Sequence, residues 1–223
     1  ARTDGHVGIQ AAFVDRHLRN VSTRYDFDSL RVGIQPFSAD FRGFLFQDNQ
    51  PGIRLFGNRD NNRRQYNIAY FRLLEKDTNS GLNHIGGLRK NDVLVANLYW
   101  QDLPVQGFTS QATFALSHNR EDGFHYNTNG FLERPAAIGR QAPRKYDVAY
   151  LGYNGDGHFG PWNASASFYY AFGRQPGGNA FVDRSTGISA AFGALELSRD
   201  YDWVRPRLSL LYGSGDGNPH DGT

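Results

Sequence analysis

The sequence predicts an all-β, antiparallel transmembrane β-barrel, and three observations predict it. Stretches of alternating polar and apolar residues recur about ten times, short gaps alternate with long ones between them, and no window approaches the ~18 consecutive apolar residues of a spanning helix. Tight turns on one side of a bilayer, long polar loops on the other and strands of about ten residues between them produce this pattern. The short gaps fall at residues 20–24, 58–64, 103–107, 156–161 and 199–202, and the long ones at 38–50, 76–91, 118–145, 173–185 and from 214 onward.

Taken in order, each strand has a more apolar parity that would face lipid. In the first, Val7, Ile9, Ala11 and Phe13 lie on one face, with Gln10, Val14 and Arg16 on the other. In the second, Leu30, Val32 and Ile34 oppose Arg31, Gly33 and Gln35. Residues 52–57 and 65–75 are strand-like, but their parity is too short or too mixed to assign faces. Residues 92–101 set Leu94, Ala96, Leu98 and Trp100 against Asn97 and Tyr99. Residues 108–117 alternate most cleanly, Ala112, Phe114 and Leu116 against Thr109, Gln111 and Thr113. Residues 162–172 set Ala164, Ala166, Phe168, Tyr170 and Phe172 against Ser165, Ser167 and Tyr169. Toward the end, Leu195 and Leu197 oppose Glu196 and Ser198, and Leu208, Leu210 and Tyr212 oppose Arg205, Arg207 and Ser209. Most prolines fall in gaps, as residues that cannot donate to a ladder should; Pro36 and Pro206 fall within or near proposed strands and mark expected interruptions.

Composition is compatible with this fold. Only alternate strand residues meet lipid in a barrel, so a hydrophobic content of 39% and a mean hydropathy of −0.59 do not argue for a water-soluble chain. Twelve Tyr, 17 Phe and 3 Trp supply the amphipathic rings of interfacial girdles, and 26 Gly supply turns. The absence of Cys removes disulfide frameworks, thiolate metal sites and cysteine nucleophiles. A net charge of +2 without long basic runs gives no reason to expect nucleic acid. A soluble β-sandwich would share the alternation but not the regular short and long connections.

The chain starts without an apolar signal-peptide segment and contains no Met. With the short gaps on the periplasmic side, both ends lie on the long-loop side, the reverse of a complete bacterial barrel. Residues 1–223 are therefore expected to form a single barrel domain, incomplete at both ends, within a larger barrel.

Three segments carry a family likeness: residues 29–37 (Ser-Leu-Arg-Val-Gly-Ile-Gln-Pro-Phe), residues 146–157 (Tyr-Asp-Val-Ala-Tyr-Leu-Gly-Tyr-Asn-Gly-Asp-Gly) and residues 211–222 (Leu-Tyr-Gly-Ser-Gly-Asp-Gly-Asn-Pro-His-Asp-Gly). The chain resembles the alginate-export-like outer-membrane barrels and their porin-like relatives. That resemblance extends loosely over most of the sequence and implies a pore or exporter in a bacterial outer membrane, without implying alginate as the solute.

The expected function is a porin or export channel passing polar, including anionic, solutes through a hydrated lumen, with no enzymatic step. Arg16, Arg31, Gln35, Gln111, Glu196, Arg205 and Arg207 fall on the proposed pore-lining face, with Arg54 and Arg72 as additions. Permanently charged Arg favours anions, unless it is neutralised by acids such as Glu196 and Asp147. Residues 38–50, with Phe41, Arg42, Phe44 and Phe46, are apolar for a loop and suit either an inward constriction or a strand rising above the membrane. Expected partners are the lipid bilayer, lipopolysaccharide and a small polar solute, with a homo-oligomer or a partner subunit also compatible. The competing readings are a scaffold barrel that docks or sheathes another protein, such as an electron-transfer subunit, and a soluble β-sandwich binding module.

No cofactor is expected. Asp216, Asn218 and Asp221 are loop candidates for calcium, with Asp60, Asn61 and Asn62 as a second cluster, but neither has EF-hand spacing and such runs usually make turns. Seven scattered His show no metal-ligand spacing, and no Gly-x-Ser-x-Gly elbow is present. Outer-membrane proteases and lipases place Asp, His and Ser at a barrel rim, where His118 or His158, near strand ends, would fit, but a solvated loop role suits them better.

Overall fold

A computed structural model describes residues 5–127, 129–135, 143–177 and 184–215. Among them the chain is all-β, without a helix. The strands are β1 (Ala12–Asn20), β2 (Phe27–Ser38), β3 (Gln47–Arg59), β4 (Arg64–Lys76), β5 (Asn83–Gln101), β6 (Phe108–Asn119), β7 (His125–Tyr126), β8 (Leu132–Arg134), β9 (Tyr146–Phe159), β10 (Trp162–Gln175), β11 (Thr186–Arg199) and β12 (Arg207–Gly213). Ten of these form one antiparallel sheet in the order β1-β2-β3-β4-β5-β6-β9-β10-β11-β12, while β7 and β8 form a separate hairpin in the longest loop. Within the large sheet each strand pairs with the sheet strands that precede and follow it along the chain, β6 pairing with β9 past the β7–β8 hairpin, as expected of an antiparallel meander. The edges β1 and β12 do not pair with each other, so the sheet is not closed.

The sheet is nonetheless strongly curved. Ser38 ends β2, and Arg42, four residues later, reaches Glu196 on β11. Four residues extend at most about 14 Å. A flat sheet would separate β2 from β11 by seven strand spacings, or about 34 Å. The sheet therefore curls into a trough whose two flanks can be bridged by one short segment.

Side chains sort between the faces of this trough in an unusual way. Ladder rows on the convex face run Ile53–Tyr70–Leu94–Leu116, Ile68–Ala96–Phe114–Leu151–Tyr170 and Leu98–Ala112–Tyr153–Phe168. Ile53, Ile68, Leu151, Phe168, Leu208 and Leu210 are about half exposed or more. On the concave face the largest fully buried side chains are Phe71 and Val95 together with Gln35, Gln50, Gln111, Asn83 and Asn154. Amides are packed inside and large hydrophobes point outward, the inverse of a water-soluble domain. The apolar core is small and lies where Phe37, Phe71, Ala69, Val93, Val95 and Ala115 meet Ala39, Leu45 and Phe46.

Several connections differ from expectation. Residues 83–91, expected in a long loop, belong to β5, whose 19 residues outlast any of its neighbours. Its first part pairs with β4 at Lys76–Asn83 and Glu75–His84 through an irregular register, so backbone pairing prevails where polar Asn and His and the pair Gly86-Gly87 break the alternation. Pro206 lies just before β12 and interrupts nothing. Pro36 stands inside β2, opposite Asn49. Asp60, Asn61 and Asn62, the second calcium cluster, all have positive φ and build the β3–β4 turn, a conformation that short polar side chains tolerate. The Asn62 side-chain oxygen accepts from Asn58 and Gln65.

Candidate functional site

The concave face is crossed by residues 39–46, which leave β2, pass over the strands and return to β3. Asp40 sets their shape. Its Oδ1 accepts from the backbone N–H groups of Arg42 (2.8 Å) and Phe44 (3.1 Å), and its Oδ2 from that of Leu45 (2.9 Å), so one carboxylate organises a tight local turn. The Tyr169 hydroxyl on β10 donates to the same Oδ2 at 2.7 Å.

The crossing is fixed at four further places, Ala39, Phe41, Arg42 and Phe44. The Ala39 carbonyl oxygen accepts from Asn97 Nδ2 on β5 and Gln111 Nε2 on β6, both at 2.6 Å, while Phe46 O accepts from Ala39 N at 2.7 Å. Arg42 meets Glu196 at 3.4 Å. The Phe41 ring lies against Tyr99 and the Phe44 ring against Phe192, with centroids 5.8 and 5.1 Å apart. Backbone groups that would otherwise be orphaned on a sheet face are thus paired by the Asp40 carboxylate and by side chains from β5 and β6.

Charge on this face is mostly paired. Arg31 makes a bidentate contact with Asp15 (2.6 and 2.7 Å), and Lys76 pairs with Asp48. Glu196 takes Arg207 at 3.4 Å as well as Arg42. Arg54 differs: its Nε donates to the Asn67 side-chain oxygen at 2.7 Å, and its guanidinium stacks on Phe37 and Phe56. It faces a cleft of about 560 Å³ also lined by Gln10, Asp48, Asn67, Lys76 and Tyr99.

The residues expected to line a pore separate into three groups. Arg31, Glu196 and Arg207 share the concave face. Gln35 and Gln111 share it too but are fully buried, so they hold backbone in place instead of meeting solvent: Gln35 donates to Gly52 O and Gln111 to Ala39 O. Arg16 is on the opposite face, because the ladder places it opposite Leu30. The apolar parity of the first strand misled here: Phe13 points inward, where its ring lies 4.0 Å below the Arg31 guanidinium and serves a cation instead of lipid. Arg205 is in the β11–β12 turn beside Asp200, not in a strand. Arg72 and Asp147 also belong to the convex face, paired with Asp92 and His118 respectively. Asp216, Asn218 and Asp221 lie outside the described residues. Among the described residues no group of His, Asp and Glu has the arrangement to hold a metal ion.

Sequence reasoning missed Asp40, Asn97 and Asn154 as organising residues. Asp40 is the most legible in retrospect, as an acidic residue directly before the Phe-Arg-Gly-Phe run, a position suited to an Asx turn.

At the long-loop end, Arg134 of the β7–β8 hairpin is bidentate to Glu75 and reaches Glu121 at 3.3 Å, and Arg89 is bidentate to Glu121. Burial works against the Arg134 charge, but its hydrogen bonds to Glu75 together with the charges of Glu121, Glu75 and Glu133 outweigh this and raise its pKa. Beside this network, Glu75 and His125 help line an open cleft of about 510 Å³ together with His6, His84 and Glu133.

No family model, curated protein or solved structure matches this chain.

Proposed function

We propose that this sheet is the wall of a bacterial outer-membrane channel of the porin or export kind, passing polar and anionic solutes beneath a constriction made by residues 39–46. The observation that carries the reading is the inverted sorting of side chains: continuous rows of exposed Ile, Leu, Phe and Tyr outside, and buried Gln and Asn with charged groups inside. Exposed apolar surface of this extent needs a partner, and a bilayer supplies one on every strand at once. The resemblance of residues 29–37 and 146–157 to alginate-export-like barrels supports the same reading. Arg54, with no carboxylate in direct contact among the described residues, gives the lumen its attraction for anions.

A channel requires a complete wall, and the reading includes further antiparallel strands between β1 and β12. The test is conductance in planar bilayers of the protein extracted from membranes in detergent. Stepwise currents with a reversal potential favouring anions are expected. A protein that inserts without conducting, or that carries a partner protein filling the trough, would overturn the channel reading in favour of a scaffold.

A further inference from the structure

Above the outward apolar rows, at the long-loop ends of β4, β5, β6 and β9, the convex face changes character. Arg72, Lys90, Asp92, His118, Arg120 and Lys145 gather there, with Asp122 and Asp147 beside them. Asp92 is the anchor: it is buried although it stands on the outer face, because Arg72 Nη1 (3.0 and 2.9 Å), Arg120 (3.1 Å) and the Tyr70 hydroxyl (2.7 Å) enclose its carboxylate. Lys145 and Lys90 meet Asp122 at 3.1 and 4.0 Å. The four Lys and Arg side chains outnumber Asp92, Asp122 and Asp147 around them, and those of Lys90, Arg120 and Lys145 are half exposed or more. Directly below runs the ladder row Tyr70–Leu94–Leu116–Ala149, and below that Ile68–Ala96–Phe114–Leu151.

A cluster with cations in excess, three of them open to solvent, is complementary to a phosphate. Its position on top of an apolar wall adds a second requirement, because the same ligand must lay hydrocarbon chains against Leu116 and Phe114. We infer that Arg72, Lys90, Arg120 and Lys145 form a binding site for the phosphorylated sugar headgroup of an outer-leaflet saccharolipid. The acyl chains of that lipid run down the β4–β9 face, and Asp92 keeps the two arginines splayed toward its phosphate. This inference rests on the membrane reading given above.

The test uses the whole protein in neutral detergent micelles and counts lipid retained per chain by native mass spectrometry. The probes are diphosphoryl lipid A and the same lipid with both phosphates removed. The expected result is retention of the phosphorylated form only, with an affinity loss of about tenfold or more in a Lys90→Gln/Arg120→Gln/Lys145→Gln variant. Arg72 is left in place in that variant so that Asp92 keeps a partner and the fold is preserved, which circular dichroism checks. Equal retention of both probes, equal retention by the variant, or displacement by millimolar inorganic phosphate would each overturn the lipid site. Flotation with phosphatidylcholine vesicles is measured in parallel. A chain that floats but retains no lipid A fails only the headgroup site, whereas one that does not float fails the membrane reading as well.

Discussion

Tyr169 donates its hydroxyl hydrogen to Asp40 across 129 positions of sequence, and this 2.7 Å contact ties the crossing segment to the far flank of the trough. Asn154 Oδ1 lies 2.8 Å from the same hydroxyl. One phenolic hydrogen cannot serve two acceptors, and Asn154 Nδ2 is buried without a partner. A half-turn of that amide answers both needs, since Nδ2 then donates to the phenol while the phenol donates to Asp40.

Tyr169→Phe is therefore expected to cost about 1–3 kcal/mol, because it strips one donor from a buried carboxylate. Asp40→Ala should cost about 3 kcal/mol or more, since the turn made by Arg42, Phe44 and Leu45 loses its acceptor with it. Equilibrium unfolding in detergent measures both. If residues 39–46 narrow a channel, Asp40→Ala also raises single-channel conductance, whereas Tyr169→Phe raises it less.

Phe168 and Leu151 stand on adjacent convex rows, and both are half exposed. Against a bilayer, Phe168→Arg or Leu151→Arg should destabilise the folded state by about 2–4 kcal/mol in vesicles. Ser209→Arg, on the concave face beside Glu196, should stay within about 0.5 kcal/mol. Equal costs for the two faces would contradict a lipid-facing convex surface.

Arg54→Gln removes a concave cation that has no carboxylate in contact among the described residues. A shift of the reversal potential toward cations in a salt gradient is expected, with about 1 kcal/mol of stability lost as the stacking on Phe37 and Phe56 goes. Arg31→Gln, which also frees Asp15 as an uncompensated anion, should shift the potential further in the same direction.

Asp122 lies in the loop after β6, where the hydrogen bond from Lys145, with the Lys145 and Lys90 charges, lowers its pKa. A carboxylate whose folded pKa is depressed stabilises the fold above its unfolded value, about 3.9, and loses that contribution as pH falls through the folded value. The midpoint of the Asp122 carboxyl resonance should lie below about 3.9 and move back toward it in Lys145→Gln. A midpoint unchanged by that substitution would sever the assigned link.

Much of the sheet was legible because period two survives wherever one face is held against a different medium from the other. Residues 108–117 and 162–172 show this most clearly, since every outward position there is apolar or small. The pattern failed where a side chain answers a local partner instead of the medium. Phe13 faces inward because it lies under Arg31, and Arg72 faces outward because it pairs there with Asp92, so both invert the expected polarity. The early part of β5 was hidden by Gly86-Gly87 and flanking polar residues, whose strand state comes from pairing alone. At the candidate site, Arg31, Glu196 and Arg207 were recoverable from parity. The destination of residues 39–46 was not, because no sequence spacing records that a carboxylate at Asp40 will meet a phenol at Tyr169.

The unpaired edges β1 and β12 carry a thermodynamic consequence for assembly. Alternate residues of the nine in β1 and of the seven in β12 leave ladder N–H and C=O groups unmatched. Water tolerates such groups, but hydrocarbon charges several kcal/mol for each of them. If the sheet is the membrane wall proposed above, the slot between the edges acts as a checkpoint, and the wall leaves water only in the same step that seals it. In water alone, the same two edges are templates on which copies of the chain zip together.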